Sequence, residues 1–183
     1  MQEMTSAPIG RLFSKYLFPT VTASVSMAAY CIVDVIFVGL QTGRDGLAAL
    51  NIAMPVFTLY GALAMLLGLG TATTMSVCRG AGDELEARRV FTLGTVAATV
   101  LGIIISILSV VFLEDYARLL GSTDHLLQPT MLYMLPISAG GFIFIVSKSI
   151  AMIVRNDNGP KLAMIATITG NAMNVVLDYV LMY

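Results

Sequence analysis

Charge is scarce in this sequence: Asp, Glu, Lys and Arg make up 11% of its 183 residues, whereas 57% are hydrophobic. The mean hydropathy of +0.87 lies far above that of a water-soluble surface, so the composition excludes a soluble fold. The net charge is −1, and no basic tract is longer than Arg88-Arg89. Because nucleic-acid binding needs clustered positive charge, we expect no nucleic-acid partner.

Side chains that usually perform chemistry are also few. The chain has two cysteines, Cys31 and Cys78, which lie in or beside apolar segments and lack metal-ligand spacing. No stretch resembles a catalytic triad, a nucleophile elbow or a phosphate loop. We therefore expect no enzyme activity, no catalytic residue and no cofactor.

Long apolar runs dominate what remains. Several exceed the roughly 20 residues that span a bilayer core, and lipid requires their backbone groups to be paired internally, so we expect helices. The fold class is predicted to be an all-α integral membrane protein with about five transmembrane helices. The predicted spans are residues 16–40, 48–78, 90–113, 126–154 and 162–183.

The basic residues predict a cytoplasmic amino terminus. Seven of them then lie inside and two, Arg44 and Arg118, outside, as the positive-inside rule favours. The tenth, Lys148, lies within the fourth predicted span, six residues from its cytoplasmic end, and is expected to snorkel to the interface. The seven inside are Arg11, Lys15, Arg79, Arg88, Arg89, Arg155 and Lys161.

Two carboxylates fall inside apolar spans. Asp34 lies in the first span and Asp178 in the fifth, with Asn174 one turn before Asp178 on the same face. A carboxylate at such a position costs roughly 2.5–3.5 kcal/mol on insertion scales, so something must compensate for it.

The depths of the two carboxylates match. Asp34 lies nineteen residues after Lys15 and Asp178 seventeen after Lys161, which is about 28 and 26 Å of helix rise. Two carboxylates in one low-dielectric cavity either hold a proton or bind a hard cation such as Na⁺. The alternative is that each reaches headgroup water separately.

Small residues and prolines mark the helix interiors. Gly61, Gly68 and Gly70, with Ala62, Ala64 and Ala72, predict a close-packing face on the second span. Pro19, Pro55 and Pro136 lie within spans, where a missing amide favours a kink. For Pro55 and Pro136, ordinary tolerance of proline in membrane helices is the preferred interpretation.

Five segments in order give the sequence a family resemblance. It is similar to the multidrug and toxic compound extrusion (MATE) family across almost the whole chain. The segments are Val33-Asp34-Val35-Ile36-Phe37-Val38-Gly39, Ala48-Ala49-Leu50-Asn51-Ile52-Ala53-Met54-Pro55, Arg79-Gly80-Ala81-Gly82-Asp83, Arg155-Asn156-Asp157-Asn158-Gly159-Pro160-Lys161 and Gly170-Asn171-Ala172-Met173-Asn174-Val175-Val176-Leu177-Asp178.

The resemblance implies twelve helices in two six-helix lobes, exporting cationic or amphipathic compounds in exchange for Na⁺ or H⁺. Residues 1–183 would then form part of the amino-terminal lobe, and we expect the sixth helix and the carboxy-terminal lobe to be missing. The family's cation site matches Asp34, Asn174 and Asp178, and a proline linked to bending of its first helix matches Pro19. A further ligand on the family's sixth helix has no counterpart in this chain.

The sequence therefore predicts part of a cation-coupled antiporter in the cell membrane, typical of a bacterial inner membrane, in contact with lipids. Two alternatives remain open. One is a flippase for lipid precursors with a related architecture, and the other is a non-transporting membrane fragment of a split gene.

Overall fold

The computed structural model describes the backbone of residues 9–157 and 159–182, and their side chains except those of residues 9, 11, 12, 15, 38, 41, 174 and 177–182. This part of the chain contains helices and turns and no strand, which confirms the predicted all-α fold. The helices are α1 (Ile9–Gly80), α2 (Glu84–Val111), α3 (Leu113–Leu119), α4 (Asp124–Asn156) and α5 (Pro160–Met182).

Helix α1 reverses direction at Gly43, where φ is 64° and ψ is −148°. A Cβ atom on Gly39 would lie 3.4 Å from Leu47 Cδ1, although eight residues of straight helix would separate the two by about 12 Å. Glycine accommodates this backbone conformation without a steric penalty. The expected loop at residues 41–46 is thus a sharp turn between two arms of α1, called the first arm and the second arm below.

Four stretches of the described chain are long and apolar enough to cross a membrane. They correspond to the first four predicted spans, and the predicted fifth lies in α5, which has 23 residues. Large exposed hydrophobic side chains, such as Leu66 and Leu93 at 69% and 67% exposure, suit contact with lipid rather than water. The four stretches are Tyr16–Phe37, Thr42–Gly80, Glu84–Val111 and Asp124–Asn156.

The second arm packs against α4 along a stripe of small residues, Ala64, Gly68 and Ala72, all buried. The Ser149 hydroxyl donates a hydrogen bond to the carbonyl of Ala64 at 3.0 Å, and the Asn156 amide donates to that of Ala72 at 2.9 Å. Both helices advance together along this contact, so they run parallel. Of the glycines expected to form the packing face, only Gly68 approaches α4; a Cβ on Gly61 or Gly70 would meet nothing within 4 Å.

Helix α2 runs antiparallel to this pair. Gly102 lies against Phe142 of α4, and the fully buried Tyr60 donates a hydrogen bond to the Ser109 hydroxyl at 3.0 Å. The turn before α2 is short because Gly82 adopts a φ of 82° and the Asp83 carboxylate caps the helix by accepting from the Glu86 amide.

The predicted connector at residues 114–125 is partly helical, because α3 occupies its first half. Glu114 and Arg118 are spaced i, i+4 and pair at 3.1 Å, and Arg118 also pairs with Asp124 at 2.9 Å. Hydrogen bonds to Asp124 and then Glu114 raise the pKa of Arg118 above its ordinary value. Helical structure therefore extends into a segment predicted as a loop, and local charge pairing supports it.

Helix α5 follows α4 after a tight turn in which the Gly159 amide donates to the carbonyl of Val154, so the two helices run antiparallel. Because α4 is parallel to the second arm, α5 is antiparallel to the second arm and parallel to the first. The amide of Asn171 on α5 donates to the Ser26 hydroxyl of the first arm at 3.3 Å. This contact fixes the register between the first and last helices.

The close approach at Gly68 gives a test of the packing. A Cβ there would lie 2.9 Å from the Ser149 Cα atom, so we expect Gly68→Ala to destabilise the bundle by about 1–3 kcal/mol, as overpacking does. Gly70→Ala, two residues away with open space around it, is the matched control. Thermal unfolding in detergent, followed by circular dichroism, should show a lower melting temperature for Gly68→Ala only. Equal melting temperatures would contradict the packing.

Candidate functional site

The predicted ion-coupling carboxylate Asp34 lies in the first arm and is half-buried. It interacts with another group in the protein, so it is not isolated in solvent. Ser26 and Tyr30 lie two turns and one turn before it, on the same side of the helix. The first arm therefore presents a row of polar residues ending at Asp34.

The matching side of α5 begins at Asn171. Asn174 and Asp178 follow it by three and seven residues, which is the spacing of one helix face. The side chains of Asn174 and Asp178 lie outside the described residues, so the direct geometry of the predicted three-residue cluster stays a prediction. Among the side chains that are described, no group of three His, Cys, Asp or Glu could hold a metal ion.

Backbone register relates the two rows. Asp34 is eight residues after Ser26, and Asp178 is seven residues after Asn171, so the two Cα atoms lie about 12 and 10 Å beyond the Ser26–Asn171 hydrogen bond. Because the helices run parallel, both positions fall at nearly the same height. The spacing from the flanking lysines predicts similar depths for Asp34 and Asp178. The Ser26–Asn171 contact leads to the same inference independently.

Pro19 is buried in the first arm, fifteen residues before Asp34. The backbone stays helical through it, and the sole non-helical φ/ψ pair inside the described part of α1 is at Gly43. The Thr22 hydroxyl donates to the carbonyl of Phe18 at 2.8 Å. The conformation seen here thus has no break at Pro19, whose missing amide still leaves one carbonyl of the preceding turn without its helical donor.

Lys148 differs from the sequence expectation. Its Nζ atom lies 5.5 Å from the ring centroid of Phe144, one turn toward the amino end of α4. The ammonium is therefore directed away from the Arg155 end of the helix, toward which it was expected to snorkel. A cation–π contact partly compensates for the charge.

The two loop motifs meet at one end of the bundle. Arg79, at the end of the second arm, forms ion pairs with Asp157 after α4 and with Glu84 at the start of α2. The Asn156 amide donates to the Ser76 hydroxyl at 2.8 Å. These contacts tie three helices together and put the two basic loops on the same side, as the predicted topology requires.

Sequence reasoning missed Ser26, Asn171 and Asn156 as contact residues. Asn171 and Asn156 lie inside the motifs that resemble the family, but only Asn174 was weighted because it is one turn from a carboxylate. A search for polar residues four and eight positions before Asp34 would have found Tyr30 and Ser26. The pairing of Ser26 with Asn171 needs the structure, since it joins residues 145 positions apart.

These features define a multi-pass protein of the cell membrane with polar residues aligned between its first and last helices. Residues 19–180 match the MatE family model, and the chain belongs to this family, which confirms the resemblance seen in the sequence.

A curated relative is the multidrug export protein MepA of Staphylococcus saprophyticus, 24% identical over 90% of this chain and 37% of its own length. Among solved structures, an outward-facing multidrug resistance MATE transporter of the MOP superfamily aligns with a TM-score of 0.86 and 27% identity, covering 93% of this chain and 38% of that one. A MATE structure in the bent conformation aligns with a TM-score of 0.84 and 27% identity, covering 93% of this chain and 38% of that one. The chain thus spans under two-fifths of these relatives, which are transporters rather than enzymes.

The Ser26–Asn171 register is testable by cross-linking. In a background with Cys31→Ala and Cys78→Ala, the pair Ser26→Cys and Asn171→Cys should oxidise to a disulfide, because the 3.3 Å contact shows that these two side chains face each other across the helices. The control replaces Ser26→Cys with Ser24→Cys, at an exposed position on another side of the helix. We expect oxidation at least roughly tenfold faster for the first pair, measured by mass spectrometry of the digested chain. Faster oxidation of the control pair would contradict the register.

Proposed function

We propose that this chain is a partial amino-terminal lobe, residues 1–183, of a two-lobe antiporter that exports cationic or amphipathic small molecules in exchange for Na⁺ or H⁺. The observation that carries the proposal is the parallel register of the first arm and α5. It brings the backbone positions of Asp34 and Asp178 to one height in a chain of the MatE family.

The coupling chemistry follows from two carboxylates in a poorly solvated place. When both are ionised they repel each other, so either one takes up a proton or a cation neutralises them. Asp34 is already half-buried, and Asn174 adds an amide oxygen of the kind that hard cations accept. Uptake of the ion removes the repulsion between the helices, and its release restores it.

Movement of the first arm is the proposed response. Pro19 lies about four helical turns before Asp34 and weakens the hydrogen-bond ladder there. A change of charge at Asp34 can therefore shift the balance between a straight and a bent first arm. The ion moves this balance only by its different affinity for the two states.

The partners are part of the proposal. The sixth helix and the carboxy-terminal lobe would supply the other half of the transport pathway, and substrate would bind between repeated halves, as in many secondary transporters. The similarity to a multidrug export protein supports small drug-like compounds as cargo.

Asp34→Asn tests the mechanism in the complete two-lobe protein. The amide keeps the size of the side chain but cannot take up a proton or supply a negative charge, so we expect ion-driven ethidium efflux to fall at least roughly tenfold with unchanged expression. The control is Asp45→Asn, which removes an exposed carboxylate beside the Gly43 turn. Efflux is measured in proteoliposomes under a Na⁺ gradient and, separately, a pH gradient. Undiminished efflux by Asp34→Asn under both gradients would rule out the mechanism.

A further inference from the structure

Lys148 lies inside a membrane-spanning helix with no carboxylate to neutralise it among the described side chains. None of the ion pairs in this part of the protein includes it. Asp178 lies eleven residues beyond Thr167, which lines the same cavity as Lys148, so its backbone is about 16 Å further along α5. An ionisable residue in a membrane span is by default a candidate for a functional site.

The cavity lined by Lys148 lies between α4 and α5 and has a volume of about 700 Å³. Its walls are mostly apolar, with polar groups from Thr99, Thr167 and Asn171. This size and this combination of an apolar wall with few polar groups are those of a small-molecule site. The wall includes Val146, Ile150, Leu162 and Ala166.

We propose that this cavity binds an amphipathic anion, with an apolar body along the α4–α5 wall and a carboxylate or phosphate paired with the Lys148 ammonium. A free cation is disfavoured because it would meet a fixed positive charge in a medium of low dielectric constant. A neutral apolar molecule would leave that charge with only the partial compensation of the Phe144 ring. An anion compensates for it. The Asn171 amide has two N–H donors, and the one that is not donated to Ser26 offers a further hydrogen bond to the anion.

The site is distinct from the proposed ion-coupling residues and needs no transport for its detection. Asn171 connects the two, because it lines the cavity and hydrogen-bonds to Ser26 of the first arm. Binding is measured without an ion gradient, so a failure here is distinguishable from a failure of the antiport mechanism.

The test compares cis-parinaric acid with its uncharged methyl ester, by fluorescence titration of the full chain in phosphatidylcholine nanodiscs, with empty nanodiscs as background. We expect the unmodified chain to prefer the carboxylate at least roughly tenfold. Lys148→Met should abolish this preference while leaving ester binding unchanged, and Lys148→Arg should retain it. Lys161→Met, which removes an exposed lysine at the start of α5, is the matched control and should also retain it.

A preference that persists in Lys148→Met, or that falls equally in Lys161→Met, would overturn the proposal. Circular dichroism of each variant checks that the helices are intact. Repeating the titration in phosphatidylglycerol nanodiscs identifies the source of the anion. Displacement of the probe from both the unmodified chain and Lys161→Met assigns the site to an anionic lipid; undiminished binding assigns it to a free amphiphile.

Discussion

The contact between the second arm and α4 at Gly68 determines the arrangement of the bundle. Because Ala64, Gly68 and Ala72 are small, the two helices approach closely enough for Ser149 to reach a backbone carbonyl. In a bilayer, apolar side chains gain little free energy by exchanging lipid contacts for protein contacts. Close packing and interhelical hydrogen bonds are therefore the main interactions that hold the helices together. The parallel direction of these helices then fixes that of α5, and with it the alignment of α5 beside the first arm.

Different interactions join the helices at the end of the bundle that carries Arg79. Water is available there, and charged residues rather than small ones join the helices. Arg79 contacts Asp157 and Glu84, while Asp83 and Gly82 shape the turn between them. Partly exposed pairs of this kind contribute little stability individually. Their contribution is geometric, since they hold the ends of three helices in one register.

Composition predicted the class of fold because lipid leaves a chain few ways to pair its backbone. It could not distinguish Gly68 from Gly70, since the two differ only in what lies opposite them. It also missed the continuation of helix up to Gly43, where the chain turns, and through α3, where an i, i+4 ion pair lies on a short helix. For the candidate site, spacing identified Asp34 and its expected partners, but the Ser26–Asn171 contact between distant segments and the direction of Lys148 depend on packing.

The intramembrane charges lie at two heights, and α5 passes both. Thr167 is near the level of Lys148, and Asp178 is near that of Asp34, with Asn171 between them. Along α5, the backbone positions of Thr167 and Asp178 are about 16 Å apart, so the ammonium of Lys148 lies far from the level of the two carboxylates. In the two proposals, Asp34 and Asp178 bind a cation or a proton at one height, and Lys148 pairs with an anion at the other. Asn171 lines the cavity and also contacts the first arm. In the two proposals, binding of an anion in the cavity can therefore alter the free energy of ion binding at Asp34 through that single side chain.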